Sequence, residues 1–166
     1  ASELAQVFAS LGSNLNPVLT QLAKTRRAVF VEGKDFQVIG KFGRSLKCSP
    51  VGNRTEFAVI PVDGFNPDRI RSLKKGMETT LGSEILAAAV LDRDYRSASE
   101  CEKITKSCEQ FCSTAIIHEC KEIENFLLVP TAIDRAASKK VRDRLMRTGE
   151  GTEFEDCAEE ILSAFA

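Results

Sequence analysis

Several absences narrow what this 166-residue chain can do. No apolar run approaches the roughly 20 residues of a membrane-spanning helix, and no secretory signal pattern opens the chain, so a cytoplasmic protein without a membrane partner is expected. There is no basic excess: 23 Lys and Arg against 24 Asp and Glu leave a formal net charge of −1, so any nucleic-acid contact must come from a local patch. No G-x-x-x-x-G-K-[ST] phosphate loop is present, and Gly40-Lys41-Phe42-Gly43-Arg44-Ser45 has similar letters without the spacing. The chain by itself is therefore not a Walker-type ATPase. The six cysteines include no C-x₂-C pair, which argues against zinc, and without a secretory signal they read as reduced thiols. Cys101, Cys108 and Cys112 fall on one helical face, where burial accounts for them. The single histidine, His118, reads as structural, with general base as the competing role, and no nucleophilic triad can be assembled.

What is present centres on Ala87-Ala88-Ala89-Val90-Leu91-Asp92-Arg93-Asp94-Tyr95-Arg96. A short apolar run of buried-strand length ends in two carboxylates spaced i, i+2, a spacing that on extended chain puts both acids on one side. The competing reading is that Asp92 and Asp94 cap the next helix and pair with Arg93 and Arg96. The same arrangement occurs earlier, in Arg26 to Gly33, where a buried-looking strand ends in Glu32 and the following glycine permits a tight turn.

In order, the pattern predicts an N-terminal helix over about 2–23, broken near Gly12 to Asn14 and at Asn16-Pro17. Its apolar face carries Leu4, Val7, Phe8 and Leu11, then Val18, Leu19 and Leu22. A strand over 26–33 is followed by a helix over 35–46 with Phe36, Ile39 and Phe42 inward. A strand over 56–62 precedes a helix over 66–81, the strand at 87–91 a helix over 97–112, and a fourth strand covers 114–118. Helices over 131–146 and 154–165 close the chain. Strands alternating with helices imply an α/β fold: a four-stranded parallel sheet with helices on both faces, plus C-terminal helices. Parallel strands align their carboxyl ends along one edge, so Glu32, Asp92, Asp94 and the acids after strand four (Glu119, Glu122, Glu124) should converge on an acidic rim.

Three to five carboxylates form an oxygen-only donor set that favours Mg²⁺ or Mn²⁺ over zinc, and such ions clamp phosphodiesters and activate water. Arg93, Arg96 and Lys121 flank the acids, and Lys139, Lys140, Arg142, Arg144 and Arg147 form a dense basic run. A solvated helix face is the competing reading of that run.

Val31-Glu32-Gly33-Lys34-Asp35, Leu91-Asp92-Arg93-Asp94-Tyr95-Arg96 and Lys121-Glu122-Ile123-Glu124-Asn125-Phe126-Leu127-Leu128 occur in this order on an alternating α/β pattern. Together they resemble the Toprim domain shared by topoisomerases, primases and overcoming-lysogenization-defect (OLD) nucleases, and more narrowly the Toprim half that follows an ABC-type ATPase in OLD-like proteins. The resemblance implies a three-layer Toprim-like sandwich over 26–130, a helical connector over 1–25 from a missing ATPase region, and a helical extension over 131–166. The start at Ala1 agrees with excision from a longer protein. It further implies a Mg²⁺- or Mn²⁺-dependent DNA nickase or endonuclease, often in phage defence, with an ABC-type ATPase as partner and homo-oligomers possible. Glu32, Asp92 and Asp94 would be catalytic. The metal ligands would come from Glu32, Asp35, Asp92, Asp94, Glu122 and Glu124, and the DNA contacts from Lys34, Arg93, Arg96, Lys121, Lys139 and Lys140. One position departs from the family: many OLD-type nucleases carry a second acid four residues after the motif glutamate, where this chain has Phe36.

Two other functions compete. A non-catalytic Toprim module for dimerisation or partner binding in a larger ATPase complex would leave the acids unused. A phosphate-transferring enzyme of the haloacid-dehalogenase or response-regulator kind would need a nucleophilic aspartate on the first strand, where Glu32 stands.

Overall fold

In a computed structural model, the residues described are 15–64, 66–151 and 154–164. The chain forms two compact units, Ala1–Glu122 and Ile123–Ala166. In the first, α1 (Leu15–Thr25) leads into β1 (Arg27–Glu32), followed by α2 (Phe36–Ser45), α3 (Ser49–Asn53), β2 (Ala58–Val62), α4 (Pro67–Leu81), β3 (Leu86–Leu91), α5 (Ala98–Glu109) and β4 (Thr114–Ile117). The second holds a 3₁₀ turn (Ile123–Leu127), α6 (Pro130–Thr148) and α7 (Ala158–Ser163). No described helix is long and apolar enough to cross a membrane.

The four strands make one sheet in the order β2-β1-β3-β4, and every pairing is parallel. The α/β sandwich expected from the alternation is what forms. Pro61, which has no N–H to give a ladder, lies on β2, an edge strand paired only with β1. Ala28, Phe30, Ala58, Ile60, Val62, Ala87, Ala89 and Leu91 share one face of the sheet. They pack there with Leu22 of α1, Ile70, Leu73 and Met77 of α4, and Cys108 of α5. Val31 and Phe36 are buried outside that cluster, Val31 because alternation turns it to the opposite face. Right-handed crossovers require this division: β1 to β2 runs one way along the sheet, whereas β2 to β3 and β3 to β4 run the other. The direction reverses between β1 and β3, which makes the crevice above their carboxyl ends the topological switch point.

Local details depart from the sequence expectation. Leu4, Val7, Phe8 and Leu11 lie outside the described residues. The expected break at Asn16-Pro17 does not occur, since α1 runs on from Leu15 with Pro17 in its first turn, where no N–H is needed. Phe42, expected inward, is 40% exposed; Gly40 and Gly43 are the buried positions of α2 beside Phe36. The cause is α3, too short to show a periodicity, which packs so closely that a Cβ on Gly43 would stand 2.8 Å from Val51 Cγ1. α7 is shorter than expected because Asp134 Oδ1 accepts the N–H groups of Cys157 (3.1 Å) and Ala158 (3.0 Å), fixing where the helix begins.

Candidate functional site

β1 and β3 lie side by side in register, Val31 opposite Val90, so Glu32 and Asp92 leave adjacent strands at the switch point. After Glu32 the chain turns at Gly33, whose φ of +47° suits glycine, and nothing stands within 4 Å of where a Cβ would sit. The rim is open there. After Leu91 the chain leaves the sheet, and Asp94 takes the left-handed conformation (φ +50°), which aspartate tolerates better than most residues. The extended-chain argument for Asp92 and Asp94 therefore does not hold, because a turn, not strand alternation, aims Asp94. That turn is tied to the loop after β4: Asp94 N–H donates to Lys121 O (2.8 Å), and Arg93 Nη1 donates to Glu119 O (3.1 Å).

The two aspartates nevertheless act on Glu32. Its carboxyl is raised above the usual range, first by burial, then by the negative charges of Asp94 and Asp92. Arg96 and the backbone N–H of Asp92 partly offset this. Glu32 Oε2 is buried and accepts no hydrogen bond among the described residues. Asp92 is 7% exposed, and Asp94 Oδ2 accepts from Arg96 Nη1 at 2.6 Å.

The helix-cap reading of the aspartates fails on the observed caps. Ser97 and Glu100 form a reciprocal capping box at the start of α5, with Ser97 accepting the Glu100 N–H and Glu100 accepting the Ser97 N–H. The ion pair in that reading is real, between Asp94 and Arg96, but α5 needs neither aspartate as its cap.

The remaining expected residues divide. Asp35 sits at the end of the Gly33 turn, its N–H donating to Glu32 O (3.1 Å). Phe36 is 5% exposed, edge-on to Phe57 at 5.5 Å with the Arg54 guanidinium 4.8 Å above its ring, so this position is buried packing and offers no donor to the rim. Glu122 pairs with Lys121 at 2.8 Å. Glu124, Lys139 and Lys140 belong to the second unit and are exposed. Among the basic residues, Lys34 is exposed at the turn, and Arg93 donates to the carbonyls of Arg96 and Glu119. Lys121 Nζ lies 4.4 Å over the ring of Tyr95, which is 89% exposed.

His118 joins the rim although it is not one of the acids that point to it. It follows β4 as Asp92 follows β3, its N–H donates to Leu91 O (3.1 Å), and its Nε2 lies 3.9 Å from Asp92 Oδ1. The signal was its offset: both residues are the first beyond the paired positions Leu91 and Ile117.

Glu32, Asp92 and Asp94 offer a divalent cation the hard oxygens it prefers, including one buried oxygen without a hydrogen bond, so their chemistry fits Mg²⁺ or Mn²⁺. Among the described residues, no group of three or more His, Cys, Asp or Glu stands close enough to hold an ion as arranged, and Arg96 supplies the positive charge beside Asp94. No family model, curated protein or solved structure matches the chain.

Proposed function

We propose that the first unit is a Toprim-like, Mg²⁺- or Mn²⁺-dependent nuclease domain that hydrolyses DNA phosphodiesters, as the C-terminal half of an OLD-like ATPase. The observation that carries this reading is the field at Glu32: a partly buried carboxyl at the switch point, raised by burial and by two aspartates that the fold of α5 does not require. A carboxyl raised above the ordinary glutamate range is suited to general acid and base work. Glu32, Asp92 and Asp94 would hold the cation through their carboxylate oxygens, and Glu32, whose carboxyl is raised, would exchange the proton of the attacking water. A bound divalent ion supplies charge stabilisation at the phosphoryl oxygens. Gly33 leaves the rim open, and the exposed Tyr95 ring with Lys121 beside it gives a base a stacking surface next to the acids. The six free cysteines suit a reducing, cytoplasmic setting, and a role in phage defence follows from the OLD resemblance.

The test is nicking of supercoiled plasmid with Mn²⁺ or Mg²⁺. Glu32→Ala or Asp92→Ala should lower the rate by roughly 100-fold or more. Activity that survives both substitutions removes the site assignment.

A second reading, a non-catalytic Toprim platform for dimerisation or an ATPase partner, is favoured by one observation. Phe36 fills the core where a second acid would stand. Under that reading, calorimetric titration with Mn²⁺ gives no heat of binding and the chain sediments as a stable oligomer.

A further inference from the structure

The second unit carries a predominantly basic stretch on a single helix. Arg135, Lys139, Lys140, Arg142, Arg144 and Arg147 lie on α6 and are exposed, and among the described residues none of them forms an ion pair. Asp143 lies within the run and Glu150 just after it, and neither forms an ion pair with these cations among the described residues, while the acids nearer the C-terminus are held elsewhere. Asp134 Oδ1 accepts the N–H groups of Cys157 and Ala158, which fastens Asp156, Glu159 and Glu160 beside the N-terminal end of α6. Those acids line an open groove of about 570 Å³ with Pro130, Thr131 and Asp134. At ~1.5 Å per residue, Arg142 to Arg147 lie about 12–20 Å along the axis from Asp134, beyond the screening length of ~8 Å at physiological salt.

We infer that the C-terminal half of α6 binds the phosphate backbone of nucleic acid without reading its sequence. At about 100° per residue, Lys139, Lys140, Arg142, Arg144 and Arg147 cover roughly 200° of the helix circumference. That distribution decides between polyanions. A helix that lies in a membrane interface needs an apolar face opposite its cations. Here the opposite strip mixes Ala137, Val141 and Leu145 with the polar Ser138 and Thr148, and Leu145 lies against Gly151. Phosphates spaced along a strand require no apolar face, and five exposed cations over about two turns, with Asp143 the one acid in their arc, match a row of such charges. This surface goes beyond the cleavage reaction and stands on the other unit of the chain, so either proposal can fail alone.

The experiment is fluorescence anisotropy of the 166-residue chain with fluorescein-labelled 20-base-pair duplexes of two unrelated sequences. It is run in EDTA, so that no cleavage chemistry is involved. Both duplexes should bind equally, with affinity falling steeply as salt rises. Arg142→Gln/Arg144→Gln/Arg147→Gln should weaken binding at least about tenfold and flatten the log affinity against log salt slope by about 2–3, at ~0.9 for each phosphate no longer neutralised. The matching triple lysine variant should retain most of the affinity. These positions are exposed, so both variants should melt as the parent does. An unchanged affinity and slope overturns the inference. So does a variant that loses binding to phosphatidylserine vesicles while keeping the duplex, which would assign the cations to a membrane surface.

Discussion

Glu32 states the main tension in the molecule. A carboxyl whose folded pKa is raised binds its proton more tightly in the native than in the unfolded state, so stability falls as pH rises from the ordinary glutamate range, about 4.3, through the raised value. Glu32→Gln removes that penalty. Thermal melts should show the variant more stable than the parent at pH 7, with the difference closing as the pH is lowered through ~4.3. Saturating Mg²⁺ should stabilise the parent at pH 7 and do little for the variant; a variant that melts below the parent at pH 7 would contradict this account of Glu32. The acids were legible as residues because strand-ending carboxylates stand out against apolar runs. How they are aimed was not. The left-handed turn at Asp94 depends on hydrogen bonds to a loop 27 residues later, which no local pattern records. His118 was singled out by sequence, as structural or a general base, but its nearness to Asp92 was hidden for the same reason, since it arises only when β4 is laid beside β3.

At the scale of elements, what decides the site is which groups cap α5 and how α2 is seated. Ser97→Ala should destabilise the protein by about 1 kcal/mol through loss of the cap and leave Mn²⁺ affinity unchanged. Chemical denaturation and calorimetry read the two effects separately, and a loss of metal affinity would couple the cap to the site. Gly43→Ala forces a Cβ to within 2.8 Å of Val51 Cγ1 and 2.9 Å of the Gly52 nitrogen, and should cost about 1–3 kcal/mol by overpacking. A neutral result in denaturant melts would mean that α3 yields freely. The strands and long helices were legible because their periodicities persist. α3 and the exposure of Phe42 were hidden because five residues show no period.

For the whole molecule, four parallel strands and one reversal of crossover direction place Glu32 and Asp92 at a common edge, as the alternation of strands and helices led one to expect, while a turn brings Asp94 to it. The basic surface of α6 was legible as a run of Lys and Arg. That Asp156, Glu159 and Glu160 are tethered near the other end of α6 follows from the Asp134 bonds, which connect residues more than 20 positions apart. The claim that the rim is a divalent-cation site meets its most direct test in an Mn²⁺ anomalous difference map from a soaked crystal. The account predicts a peak within coordinating distance of the carboxylates of both Glu32 and Asp92. A map without density there, under conditions where the plasmid is nicked, would contradict it.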